Sequence, residues 1–382
     1  MKKGRISAAR KALAIAVAIG SALLCAWPMN SAASASSSQD QRLGGRARPV
    51  ITLQWLQFFG AGNEKSRDSA PRVLIPGGQA IGVAIRTQGV LVVGAGDNGR
   101  DSLREGDMIL SVNGVPLLES AMLTEAVNAA QGQPLSLRIS RGGQENDLLL
   151  TPRYDESSRA WRLGVWVRDS TAGVGTLTYY DPATGAYGAL GHAITDSDTG
   201  SLLPVREGAL MQAEIVDVRR GQRGAPGELR GSFLREQVTL GTVQVNTALG
   251  IYGRLEAPAA SALYPEGLPT ASRGQVHTGA ATILSTIAGQ EACEYAIEIT
   301  QVSRQSAAAP KSMVLRVTDE RLLSSTGGIV QGMSGSPILQ DGRIVGAVTH
   351  VFVSDPTQGY GVFIDWMLQQ SDALSAQQSE AA

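Results

Sequence analysis

The residue best suited to chemistry is a serine on a glycine-rich turn. Ser334 stands in the string Gly332-Met333-Ser334-Gly335-Ser336-Pro337. A serine hydroxyl can attack a carbonyl when it sits on a sharp, exposed turn where backbone N–H groups converge on the resulting oxyanion. Glycine gives the backbone the freedom for such a turn, so the N–H groups of Gly332 and Ser334 are the candidate donors. The alternative is a Gly/Ser-rich hairpin tip without chemistry.

The general base for this serine would be a histidine, and the chain has three of them. His192 is the candidate, because it lies 142 residues before Ser334 at the end of an apolar strand. The alternative is a half-buried histidine that only ends a strand. His350 follows an apolar strand and is interpreted as a structural or substrate-strand residue, whereas His277 has no motif around it.

A third residue is needed to hold the imidazole in the correct tautomer, and this is commonly a carboxylate. Asp319 lies 15 residues before Ser334, but the same position is a credible helix N-cap. Asp217, nearer the middle of the interval between histidine and serine, and Asp196, just after the histidine, are alternatives. The residue types alone leave the choice among the three open.

The elements that must position these residues are short strands. Residues 156–374 alternate apolar and polar side chains or run apolar over short stretches, with 45 glycines and few aromatics in the whole chain. Such a pattern predicts a β-barrel or sandwich. The turn Asp181-Pro182-Ala183-Thr184-Gly185 predicts a hairpin whose second strand leads into His192.

A different pattern precedes this region, in residues 71–155. Its string from Leu103 to Gly114, with an Asn-Gly turn at the end, resembles a PDZ domain. By that resemblance, the residues Gly78, Gln79, Ala80, Ile81 and Gly82 would form the loop that receives a peptide carboxylate. Successive backbone N–H groups of a glycine-rich loop can bind an anion, and the strand that follows can pair with an extended peptide. An ordinary glycine turn is the alternative.

The first 35 residues predict export. Five basic residues precede an apolar stretch, and Ala33-Ser34-Ala35 offers a cleavage site, although the stretch could also stay as a membrane anchor. Residues 36–70 form a linker with one apolar run, Val50 to Phe59, and residues 375–382 a polar tail. Cys293 is the one cysteine after the export segment, so no internal disulfide is expected.

Charge and composition exclude other classes of function. Beyond residue 35 there are 28 basic and 34 acidic side chains, a net charge of −6. No broad basic surface for nucleic acid is therefore expected, and no Cys/His cluster has zinc spacing. Acyl transfer by a serine requires neither a metal nor an organic cofactor, so we expect none.

The string around Ser334 resembles the Gly-Asp-Ser-Gly-Gly-Pro signature of chymotrypsin-like peptidases. This implies a mainly β protein in which a PDZ-like domain precedes a chymotrypsin-like double β-barrel. The chain departs from trypsin-like enzymes at Met333, where they have an aspartate, so their zymogen ion pair has no partner here. Bacterial stress proteases place the PDZ domain after the catalytic domain, so their trimeric cage is not expected.

Three strings resemble one family in particular, the SpoIVB peptidases (stage IV sporulation protein B) of endospore-forming bacteria. They are Gly191-His192-Ala193-Ile194-Thr195-Asp196, residues 326–338 around Ser334, and Gly346 to Val351. The resemblance implies a triad of His192, Asp319 and Ser334, and thereby selects Asp319. It also implies export from the forespore to the intermembrane space, self-cleavage between molecules, and cleavage of a membrane regulator that restrains pro-sigma-K processing.

Two other functions compete with this one. In the first, a PDZ-centred tether carries an inactive peptidase fold, but a pseudoenzyme would be free to lose any of the three triad residues, and all are present. In the second, a general extracytoplasmic quality-control protease would cleave unfolded proteins broadly. The signalling function predicts one or few cleavage sites.

Overall fold

The computed structural model describes residues 71–96, 103–232 and 239–381. The predicted export segment, the linker and its apolar run lie outside the described residues. Within the described ranges no helix combines the length and hydropathy needed to cross a membrane.

The described residues form 22 strands and three α-helices. The first eleven strands are β1 (Val73–Pro76), β2 (Ala80–Ala95), β3 (Met108–Val112), β4 (Val115–Pro116), β5 (Leu135–Arg141), β6 (Gln144–Leu150), β7 (Arg153–Asp155), β8 (Ala160–Arg162), β9 (Val165–Tyr180), β10 (Ala186–Ala189) and β11 (Val205–Gln212). The others are β12 (Glu214–Arg219), β13 (Glu228–Ser232), β14 (Thr239–Thr247), β15 (Gly250–Leu255), β16 (Leu268–Pro269), β17 (Gly279–Ser285), β18 (Cys293–Val302), β19 (Met313–Val317), β20 (Pro337–Gln340), β21 (Arg343–Phe352) and β22 (Asp355–Phe363). The helices are α1 (Ser120–Ala129), α2 (Glu320–Thr326) and α3 (Ile364–Ala381).

Six strands close a first barrel in the order β2-β9-β10-β15-β14-β11, because β2 pairs with both β9 and β11. Alternate residues of β2, namely Ile81, Val83 and Ile85, are buried in its core. Alternation with a period of two sends these side chains to one face of the strand. The apolar pattern thus fixes which face of β2 lines the barrel.

A second closed barrel has the order β17-β18-β19-β22-β21-β20. Its core includes the fully buried residues Ile283, Ile299, Leu315, Ile338 and Val348. The prediction of a mainly β protein with two barrels is confirmed. Met333 is also fully buried in this core, which explains why an apolar residue stands where trypsin-like enzymes have an aspartate.

A smaller unit comprises β3, β4, α1, β5 and β6 with the adjoining halves of β2 and β9, and we call it the PDZ-like unit. Leu123 and Val127 lie four residues apart on one face of α1 and are buried in its core. The predicted Asn-Gly turn joins β3 to β4, since Asn113 and Gly114 have φ of 49° and 79°.

The 16-residue strands β2 and β9 run from the PDZ-like unit into the first barrel. The segment predicted to be a carboxylate-binding loop, Gly78 to Gly82, therefore belongs to the barrel. Gly78 N–H donates to the Leu177 carbonyl at 2.8 Å, and Gly82 pairs with β9 on one side and β11 on the other. Because both strand edges are occupied, no edge is left for a peptide, and the prediction for this segment is wrong.

Candidate active site

Ser334 lies on a turn just before β20, where the two barrels meet. Gly335 has φ of +97°, and a Cβ atom there would lie 2.2 Å from the Thr176 carbonyl oxygen and 2.5 Å from Leu190 N. Gly332 has φ of +96°. Only glycine combines this conformation with such close packing, so the glycines of the motif are required by the turn itself.

The hydroxyl of Ser334 donates a hydrogen bond to the Thr349 carbonyl, 2.8 Å away near the end of β21. The turn is also anchored by Gly335 N–H, which donates to the Val348 carbonyl at 2.8 Å. Within the described part of the chain, the N–H groups of Gly332 and Ser334 have no hydrogen-bond acceptor. They are the two N–H groups that the sequence motif singles out for an oxyanion.

His192 follows β10, where Leu190 and Gly191 both have left-handed backbone conformations, with φ of 70° and 69°. Gly191 packs against Thr349: a Cβ atom on Gly191 would lie 3.0 Å from its methyl group. Since Thr349 also accepts the bond from Ser334, the histidine and serine segments converge on one residue of β21. The structure thus places the segments of the predicted nucleophile and the predicted base, which come from different barrels, against the same residue. Among the described residues the Ser334 hydroxyl bonds Thr349, and the imidazole of His192 bonds Ala193.

The imidazole of His192 is held by its own backbone. Its Nδ1 lies 2.8 Å from the Ala193 carbonyl oxygen, and because a carbonyl only accepts, Nδ1 carries the proton and Nε2 is left as the basic nitrogen. Burial lowers the pKa of His192, while the bond to Ala193 acts in the opposite direction. The ring is therefore neutral near pH 7, as a general base must be.

A second histidine lies beside the first. The ring centroids of His192 and His350 are 5.0 Å apart. Loss of solvation lowers the pKa of His350 to about 4, and the charges of His192 and Lys311 act in the same direction. Two imidazoles thus lie side by side, and His350 directly follows Thr349, whose carbonyl accepts the bond from Ser334.

Asp319, by contrast, is the N-cap of α2. Its carboxylate accepts from the N–H groups of Arg321 at 2.9 Å and Ala296 at 3.2 Å, and it pairs with the Arg321 guanidinium at 2.8 Å. The hydrogen bond from Arg321 is the main cause that lowers the pKa of Asp319 to about 2. Among the described residues Asp319 makes neither a hydrogen bond nor an ion pair with His192. The N-cap interpretation is confirmed, and the structure does not bring this carboxylate to the histidine as the triad requires.

The other carboxylates considered from the sequence are also engaged elsewhere. Asp217 pairs with Arg230 on the exposed β12–β13 hairpin, at 3.2 Å. Asp196 is buried, where it pairs with Arg168 and accepts from Asp198 N–H at 3.0 Å. His277 lies at the surface and pairs with Asp341, and within the described ranges no group of three or more His, Cys, Asp and Glu residues could hold a metal.

Asn246 on β14 is a residue that the sequence analysis missed. Its side-chain amide makes two hydrogen bonds to the backbone of Ile194. Oδ1 accepts from Ile194 N–H at 2.9 Å, and Nδ2 donates to the Ile194 carbonyl at 2.7 Å. Nδ2 also donates to the Leu203 carbonyl at 3.0 Å. These bonds fix the loop that follows His192. The sequence shows only an asparagine in the alternating strand Val243 to Thr247, and its burial became visible only in the structure.

Comparison with known proteins gives one family and a set of solved structures. A family model described as SpoIVB peptidase S55 matches residues 159–368. The Rv3671c protease of M. tuberculosis is 14% identical in both its active and its inactive form, with TM-scores of 0.30 and 0.28. Each match covers 52% of this chain, and 73% and 82% of the respective structures.

The PDZ domain of the SdrC-like protein from Listeria monocytogenes is 17% identical, with a TM-score of 0.20, over 21% of this chain and 87% of that domain. No curated protein matches the chain. These TM-scores reflect only distant similarity, whereas the family model spans His192, Ser334 and more than half of the chain.

Proposed function

The chain belongs to the SpoIVB peptidase family and is a serine endopeptidase, and we propose that Ser334 is its nucleophile and His192 its general base. The observation that carries this assignment is the convergence of both segments on Thr349. Ser334 Oγ bonds its carbonyl, and Gly191 packs against its methyl group. These shared contacts with Thr349 support the assignment.

The reaction begins when the Ser334 side chain turns from the Thr349 carbonyl toward Nε2 of His192. The Ala193 carbonyl keeps the proton of His192 on Nδ1, so Nε2 can take the hydroxyl proton as Oγ attacks the scissile carbonyl. Hydrogen bonds between catalytic groups are often loose before substrate binds and tighten in the complex.

The tetrahedral intermediate places its negative charge near the N–H groups of Gly332 and Ser334. Each such donor contributes roughly 10²–10³-fold to kcat in serine peptidases. His192 then returns its proton to the leaving amine, and water hydrolyses the acyl-enzyme by the same steps. In this mechanism the Ala193 carbonyl orients the imidazole, whereas Asp319 stabilises α2.

We further propose the biological role that the family resemblance implies. The peptidase would be exported from the forespore to the intermembrane space, would cleave itself between molecules, and would cleave a membrane regulator of pro-sigma-K processing. The support is the family match together with the three strings around His192, Ser334 and Thr349. Peptide binding by the PDZ-like unit belongs to the same proposal, with a binding edge other than Gly78 to Gly82.

The test uses the full chain beside a Ser334→Ala variant. We expect a fluorophosphonate probe to label the wild type, self-cleavage to accompany labelling, and the variant to show neither. Self-cleavage that continues in Ser334→Ala would disprove the nucleophile assignment. Broad cleavage of an unfolded protein such as reduced casein would favour a quality-control protease over a signalling peptidase.

A further inference from the structure

Thr176 lies on β9, where this strand passes between the two catalytic segments. It is 1% exposed and makes three hydrogen bonds to their backbones. Its hydroxyl donates to the Gly332 carbonyl at 2.8 Å, its N–H donates to the Ser334 carbonyl at 3.1 Å, and its carbonyl accepts from Leu190 N–H at 3.3 Å. One residue of the first barrel therefore ties the serine turn of the second barrel to the strand that leads into His192.

The hydrogen bond from Thr176 to the Gly332 carbonyl affects the N–H groups that would bind the oxyanion. A peptide plane next to a glycine can rotate at low cost, because glycine tolerates both signs of φ. Gly332 has φ of +96°, and rotation of the plane that follows it would redirect the backbone leading to Ser334 N–H. The Thr176 hydroxyl holds the carbonyl of that plane and so opposes the rotation.

We propose that Thr176 is a positioning residue for the peptidase reaction. Its hydroxyl holds the Gly332 carbonyl so that the N–H groups of residues 332 and 334 stay directed at the oxyanion. Its main-chain bonds to Ser334 and Leu190 hold the serine and histidine segments at a fixed separation. This inference rests on the assignment of Ser334 as nucleophile. It adds a residue that contacts neither the substrate nor the reacting atoms.

The chain contains a matched control two residues further along the same strand. Thr178 is fully buried, and its hydroxyl has no hydrogen-bond partner among the described residues. Replacing threonine with valine keeps the side-chain shape and removes only the hydroxyl. At Thr178 the change removes no bond, whereas at Thr176 it removes the bond to Gly332.

The experiment compares full chains carrying Thr176→Val, Thr176→Ser and Thr178→Val. We measure the rate of fluorophosphonate labelling at Ser334, together with kcat and KM for a peptide substrate. We expect Thr176→Val to lower the labelling rate and kcat by about 10²-fold with little change in KM, since small misplacements cost about that much. Thr176→Ser and Thr178→Val should stay within about tenfold of wild type.

Equal labelling of wild type and a folded Thr176→Val chain would overturn the inference. If Thr176→Val does not fold, the comparison moves to Thr176→Ala against Thr176→Ser, which differ by one hydroxyl; equal rates for that pair would also overturn it. A wild-type chain that is not labelled at Ser334 contradicts the proposed function instead, so the two failures are distinguishable.

Discussion

At the scale of single residues, the proposed base His192 has a backbone carbonyl at Nδ1, where serine peptidases usually have a carboxylate. The Ala193 oxygen, 2.8 Å from Nδ1, fixes the tautomer. Unlike a carboxylate, it carries no full negative charge that would stabilise the imidazolium. Burial then dominates and lowers the pKa of His192 below its ordinary value of 6.5.

This shift predicts the pH dependence of the reaction. As the proposed base, His192 acts only when neutral, so kcat/KM should reach a plateau toward neutral pH and should fall with a midpoint below pH 6.5 as the imidazole gains a proton. The measurement is kcat/KM on a peptide substrate from about pH 4 to about pH 8. A midpoint above 6.5 would show that a negative charge faces the imidazole and would contradict this arrangement.

At the scale of secondary structure, α2 explains why an aspartate stands 15 residues before the serine. Asp319 caps the helix at its first N–H groups, and Gly327 ends it with a left-handed φ of 78°. An aspartate at a helix N-terminus is also favoured by the helix dipole. The family resemblance implies that Asp319 is also the triad carboxylate. An experiment must therefore separate helix capping from catalysis at this position.

The experiment compares the variants Asp319→Asn and Asp319→Ala. Asparagine caps a helix about as well as aspartate, whereas alanine costs about 1 kcal/mol of stability. We therefore expect Asp319→Ala to lower the free energy of unfolding by about 1 kcal/mol, and Asp319→Asn to keep kcat near wild type. Both are measured by urea unfolding and by steady-state kinetics. A loss of about 10⁴-fold in kcat for a stable Asp319→Asn chain would establish the triad role instead.

At the scale of the whole molecule, β2 and β9 join the PDZ-like unit to the segments that carry the proposed catalytic residues. In its first half, β9 pairs with β2 beside α1, and Arg168 on it pairs with the buried Asp196 of the loop after His192. In its second half, Thr176 holds the serine turn. Strand β9 thus belongs in part to the PDZ-like unit and contacts both the segment after His192 and the turn that carries Ser334.

This sharing predicts what happens when the chain is divided at the boundary that the sequence suggests. A chain that begins at residue 156 lacks β2, which pairs with β9 and β11 to close the first barrel. We expect it to lose cooperative urea unfolding, whereas a chain that begins at residue 71 keeps it. Far-UV circular dichroism during the titration provides the measurement. Cooperative unfolding of the shorter chain would show that the first barrel closes without β2.

The sequence by itself determined the features that depend on near neighbours along the chain. The Asn113-Gly114 turn, the strand-rich composition and the glycines flanking Ser334 each follow from local backbone requirements, and the serine and histidine strings were long enough to identify the family. Tertiary structure alone decided the rest. Gly82 pairs with β9 and β11, which leaves this part of β2 no free edge for a peptide. Thr176 reaches residues more than 150 positions away. Such pairings depend on which strands become neighbours when the barrels close, and local residue patterns do not specify that.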